Sequence, residues 1–288
     1  MTRTLCVAVM AAVALALGAG AAAAAPNDVI FNEYWNSDDG TAYPGLDGAA
    51  IEGDWFELLV VASPEVDLRG WRVTNNSAKA GTGNGTDQGS LIFPPAAAFA
   101  AVPSGTVILV IATDTAANDA AFSVDDTETS DRRMRLYVGN GTLDAATDPL
   151  FSIRSSDDAL VLLAPGATAA LADDVGVDFI AENATATPAS FGVDADGVVF
   201  PNPFTGIGGD DGCVFTHDAL GGFNNDDGTL NPAPPLAGPG GWIVDPPAAF
   251  SGDDASNNNI LTPGERNFGQ DLSGLIPVTA AEAWEVFR

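Results

Sequence analysis

The stretch GDWFELLVVASPEVDLRGWRVTNN, Gly53 to Asn76, carries the densest pattern in the chain. In an extended Trp55–Val61 segment successive side chains point to opposite faces. Trp55, Glu57, Leu59 and Val61 then share one face, and Phe56, Leu58 and Val60 share the other. Both faces are largely apolar, which predicts a central strand covered on both sides. A buried carboxylate at Glu57 requires partners, because an unpaired one is strongly destabilising. Arg69 or Arg72 is the expected counter-ion. Ser63-Pro64-Glu65 reads as a turn. Asp67 is placed to accept backbone N–H bonds across Leu68-Arg69-Gly70, as Asp does in Asx-turns. Gly70 stands where the chain needs positive φ. Trp71 and Val73 then point one way, Arg72 and Thr74 the other.

Outward from this stretch, short runs rich in Val, Ile, Leu and Phe alternate with Gly/Asn/Asp/Pro clusters, which reads as strands joined by loops. Strands are predicted over Val29–Tyr34, Trp55–Val61, Gly70–Thr74, Thr106–Ala112, Arg135–Val138, Leu150–Ile153, Ala159–Ala164 and Val175–Ile180. Weaker patterns cover Ser90–Phe93, Gly197–Phe200 and Trp242–Val244. No stretch before the last ten residues sustains a helical period over three turns. Many short strands with Gly-rich turns predict an all-β sandwich or barrel. Asn75–Gly89 and Phe200–Gly241 read as long loops, of the kind that commonly bind. At the end, Thr279-Ala-Ala-Glu282 forms a capping box that predicts a short helix.

The composition restricts function. Residues 1–24 have a basic Arg3, an apolar run and an Ala-rich end, the pattern of a secretory signal peptide. No other segment approaches the ~18 consecutive apolar residues of a spanning helix, so membrane insertion is not expected. The chain carries 39 acidic and 10 basic residues, a formal charge of −29. Such a surface repels nucleic acid and anionic lipid. It suits a secreted protein, extracellular or periplasmic, and the Ala-rich, Lys-poor composition suggests a bacterial source. With residues 1–24 removed, Cys213 is the remaining cysteine. It has no intramolecular partner, and the Val214 and Phe215 that follow it predict a buried thiol.

Three pieces in order, VIFNEY (Val29–Tyr34), DWFELL (Asp54–Leu59) and VDLRGWRVTNN (Val66–Asn76), resemble the lamin-tail domain family. Its pattern is a strand ending in Asn-Glu, a Trp-aliphatic-Glu-Leu strand and a Val-Asp-Leu-x-Gly-Trp hairpin. SSDDALVLLAPGA (Ser155–Ala167), ADDVGVDFI (Ala172–Ile180) and TPGERN (Thr262–Asn267) are similar to later family pieces. The resemblance spans Val29 to Asn267, with longer middle loops and more negative charge than the family pattern. It implies an immunoglobulin-like β-sandwich at residues 25–270, loop-rich over 200–241, followed by a tail at 271–288. Asn32, Glu33, Trp55, Glu57, Asp67, Gly70 and Trp71 would be its structural signature. Bacterial members occur in exported proteins, often beside hydrolases, as tethering or adhesive modules. The partner implied is a protein or a cell surface.

The chemistry-bearing residues point the same way. His217 is the chain's one histidine, too few for a His-based zinc centre. No Gly-x-Ser-x-Gly elbow presents a serine nucleophile. GTGNG (Gly81–Gly85) lacks the Lys of a phosphate-binding loop. A two-carboxylate hydrolase would use Glu33 and Glu57, since a retaining pair needs only ~5 Å between carboxyl groups. No catalytic residue is assigned. Calcium is the candidate cofactor, because hard cations take oxygen ligands from Asp and Asn on turns. The candidate ligands are Asp194, Asp196, Asp210, Asp211, Asp226, Asp227, Asp253 and Asp254. The expectation is a non-enzymatic secreted β-sandwich for interaction, adhesion or tethering. The alternatives are an exported hydrolase with paired carboxylates and a salt-adapted acidic protein without a specific ligand.

Overall fold

The computed structural model describes residues 28–36, 42–44, 49–62, 64–74, 89–145, 151, 153, 159–166, 176–181, 211–215, 223–224, 230–231, 242–244 and 264. Its strands are β1 (Val29–Asn36), β2 (Ala42–Pro44), β3 (Ala50–Glu52), β4 (Trp55–Val60), β5 (Glu65–Val66), β6 (Arg72–Thr74), β7 (Ser90–Ile92), β8 (Val102–Pro103) and β9 (Val107–Ile111). After a short helix α1 (Ala116–Ala121) come β10 (Arg133–Tyr137), β11 (Asp144–Ala145), β12 (Ala159–Leu163), β13 (Gly176–Ala181), β14 (Asp211–Phe215), β15 (Phe223–Asn224), β16 (Leu230–Asn231) and β17 (Trp242–Val244). They form an all-β sandwich. One sheet has six strands in the order β10-β9-β4-β1-β14-β17, the other five in the order β11-β7-β6-β12-β13. Among the described residues, no helix is long and apolar enough to cross a membrane.

β4 lies between β9 and β1, and all six of its residues are buried. Its two apolar faces supply two cores. Phe56, Leu58 and Val60 join a main cluster that draws Val73, Leu91, Leu160 and Leu162 from the second sheet. Trp55 enters a smaller cluster with Trp35, Ile51, Leu109, Ile111, Phe122 and Tyr137 on the other side of the first sheet. Phe151 and Ile153 are buried in the main core but lie outside any strand, which corrects the expected Leu150–Ile153 strand.

The Asp67–Trp71 turn forms as its sequence dictates. Asp67 Oδ1 accepts the Arg69 N–H at 3.1 Å. Trp71 Nε1 donates to the Asp67 carbonyl at 2.9 Å, so its indole is buried with its polar edge satisfied. Gly70 adopts φ +83°, a region that disfavours side chains with a Cβ. Its N–H bonds the Phe93 carbonyl at 2.8 Å, tying the turn to the end of β7.

Two features lie beyond the sequence reading. β9 and β10 pair in parallel, and the crossover between them carries α1. That helix has six residues, too few to display a period. β14 is a strand inside the sheet, paired to β1 and β17, where Phe200–Gly241 reads as loop. Its Gly and Asp residues signal a turn, but pairing with two neighbouring strands overrides local preference. The predicted Gly197–Phe200 strand and the helix after Thr279 lie outside the described residues.

Candidate functional site

The candidate site is the buried carboxylate pair on the first sheet. β1 and β4 run antiparallel with Phe31 opposite Leu58 and Glu33 opposite Glu57. The register shifts between these pairs, leaving Asn32 as an extra residue on β1. Such a bulge changes the parity of the strand. Phe31 can therefore enter the main core while Glu33, two positions on, shares a face with Glu57. Leu109 of β9 stands opposite Glu57 on its other side. The carboxylate row thus lies on the face of the smaller core, beside Trp55 and Ile111.

Directly opposed antiparallel residues have Cα atoms about 4.5–5.5 Å apart, so Glu33 and Glu57 are immediate neighbours. Both are 0 % exposed, as is Asn32. Each oxygen of Glu57 has a donor. Asn32 Nδ2 donates to Oε1 at 3.4 Å, and the backbone N–H of Gly264 donates to Oε2. Of the expected counter-ions, Arg69 is placed elsewhere. Arg69 holds a bidentate pair with Asp67, Nε to Oδ1 at 2.8 Å and Nη2 to Oδ2 at 2.5 Å. That pair keeps the Asp67 carboxyl below its ordinary value, through the Arg69 side-chain hydrogen bond above all. Arg72 belongs to β6 in the second sheet. A bulged asparagine and a backbone amide each hold one oxygen of Glu57.

A second polar cluster surrounds Tyr137, at the end of β10. Its ring is buried in the smaller core. Its hydroxyl lies 2.8 Å from Asp119 Oδ1 and 2.9 Å from Asp114 Oδ1. Burial first, then those two carboxylates, push the phenol well above its usual value. Sequence reading missed this cluster, and it also missed Asn118 on α1. Asn118 is 0 % exposed. Its Nδ2 donates to the carbonyls of Glu52 and Thr113 at 2.9 and 2.7 Å, and its Oδ1 accepts the Glu52 N–H at 3.0 Å. The available signal was local: Thr115 caps α1 by accepting the Asn118 N–H at 3.1 Å.

Of the proposed metal ligands, Asp211 lies in β14 opposite Asn36. Asp194, Asp196, Asp210, Asp226, Asp227, Asp253 and Asp254 lie outside the described residues, as does His217. Among the described residues, no group of three or more His, Cys, Asp or Glu side chains is arranged to hold a metal ion.

No family model matches the chain. No curated protein matches it. Among solved structures, a DUF4876 family protein from Bacteroides thetaiotaomicron VPI-5482 is similar, with 12% sequence identity and a TM-score of 0.35, covering 71% of this chain and 67% of that one.

Proposed function

We propose that this chain is a secreted, non-catalytic lamin-tail β-sandwich that serves as an interaction, adhesion or tethering module. The observation that carries the reading is the state of Glu33 and Glu57. The two most promising acids in the sequence are 0 % exposed, and both Glu57 oxygens accept hydrogen bonds from the protein itself. A general acid or nucleophile needs contact with substrate, and neither carboxylate offers it. Their role is to hold strands and a distant turn in place. Export follows from the signal-like residues 1–24, and the acidic charge favours partners that are not nucleic acid. Calcium held by acidic residues between Asp194 and Asp254 would raise the melting temperature.

The second reading is an exported hydrolase using paired carboxylates. One observation favours it: Glu33 and Glu57 are opposed in register on adjacent strands, as a retaining pair must be close neighbours. Screening the purified protein on glycosides and phosphodiesters separates the two readings. The module reading predicts no turnover above blank, together with retention of specific envelope proteins in a pull-down from the producing cell. Turnover that Glu57→Gln abolishes without lowering stability would establish the hydrolase instead.

A further inference from the structure

We infer that Glu57 anchors the closing segment of the chain, through Gly264, to the centre of the first sheet, and that the folded domain therefore runs at least to Gly264. This anchoring is independent of what the module binds. Glu57 sits on β4, flanked on both sides by paired strands. Gly264 is 207 residues further on, yet its N–H meets Oε2 of that carboxylate in a buried contact. The backbone at Gly264 has φ +79°, which a residue with a Cβ adopts only with strain. The sequence supplies glycine there, preceded by Pro263, a pairing that favours turns.

The chemistry of the contact requires a carboxylate. Two donors converge on the Glu57 side chain, the Asn32 amide on one oxygen and the Gly264 N–H on the other. A carboxylate is acceptor-only and satisfies both. A glutamine offers one acceptor oxygen and turns the other position into a donor, so one N–H is left facing an NH₂ group. A leucine offers nothing. Water gives no relief, since Asn32 and Glu57 are 0 % exposed. The β-bulge is part of the device, because the extra residue in β1 is the asparagine that holds Oε1. Glu57 acts as the positioning residue for a backbone turn, while Asn32 satisfies its other oxygen. Their presence in a buried row of an otherwise apolar strand then needs no reaction to account for it.

The test is native-state hydrogen exchange, followed by NMR on the full chain, read at the Gly264 amide. In the wild type this amide is expected to be protected to within about tenfold of the Leu109 and Val110 amides of β9, as buried hydrogen-bonded groups are. In Glu57→Leu its protection falls by roughly ten- to a hundredfold, the loss of one charge-assisted hydrogen bond, while Leu109 and Val110 stay protected. Glu57→Gln lies between the two, and Asn32→Ala leaves Gly264 protected because Oε2 is untouched. A wild-type Gly264 amide exchanging like an unstructured peptide would overturn the inference, and this result needs no variant to fold. Unchanged Gly264 protection in a folded Glu57→Leu protein would overturn it equally.

Discussion

Asn118→Ala is the substitution whose cost follows most directly from the geometry. Asn118 is 0 % exposed and joins α1 to β3 and to the loop after β9. Alanine removes three side-chain hydrogen bonds, of 2.7, 2.9 and 3.0 Å. It strands the Glu52 N–H, the Glu52 carbonyl and the Thr113 carbonyl. Each unsatisfied buried group costs about 1–3 kcal/mol. Glu52 is partly exposed, so water recovers a share, and neighbouring losses do not add. The total comes to about 3–5 kcal/mol, or a Tm lower by roughly 6–20 °C at about 2–4 °C per kcal/mol for a domain of this size. Asn118→Asp sharpens the test. It keeps an acceptor for the Glu52 N–H but turns the Nδ2 donor into an oxygen facing two carbonyls, so it should cost at least as much. Differential scanning calorimetry with urea titration measures both variants. Melting within about 2 °C of wild type for both would refute the idea that this asparagine fastens the crossover.

Three further outcomes are expected. The phenol of Tyr137 is raised in the fold above its ordinary value of 10.0, so its contribution is complete below pH ~10 and is lost as pH rises through the folded value; stability measured by unfolding should fall as pH rises above ~10, and Tyr137→Phe should flatten that slope. Asp67 is lowered below 3.8 by Arg69, so its contribution is present above pH ~4 and fades as pH falls through the lowered value. The pair is solvent-accessible and screened; Asp67→Asn, which keeps the turn acceptor, should therefore melt closer to wild type than Asp67→Ala. Millimolar calcium should raise the Tm of the full chain, and an equal rise with sodium chloride at matched ionic strength would assign the effect to charge screening.

How much of this was legible in the sequence depends on whether the deciding contact is local. Trp55–Val61, with two apolar faces, indicated a strand interior to a sheet, and β4 (Trp55–Val60) is one. The Asp67–Gly70 turn was also readable, because an Asx acceptor two residues before a backbone donor is a local device. The bulge at Asn32 was not readable. A one-residue shift in pairing leaves no periodic mark, although it decides which face Glu33 takes. The partner of Glu57 was hidden for a related reason: a search for positive side chains cannot find a backbone N–H at Gly264. β14 was hidden by its own composition, since Asp211 and Gly212 signal a turn while their pairing with Asn36 and Trp35 makes a ladder. At Tyr137, three residues separated in sequence meet only because the β9–β10 crossover folds back over the smaller core.

The central claim is that Glu33 and Glu57 hold the sandwich together and are sealed from substrate. Carbodiimide labelling of carboxylates in the native full chain, read by mass spectrometry at each site, tests it most directly. Glu65 and Glu128 are exposed and should be modified readily, while Glu33 and Glu57 stay unmodified until the protein is unfolded. Native labelling of Glu57 at the rate of Glu65 would contradict the claim and return that carboxylate to the candidates for chemistry.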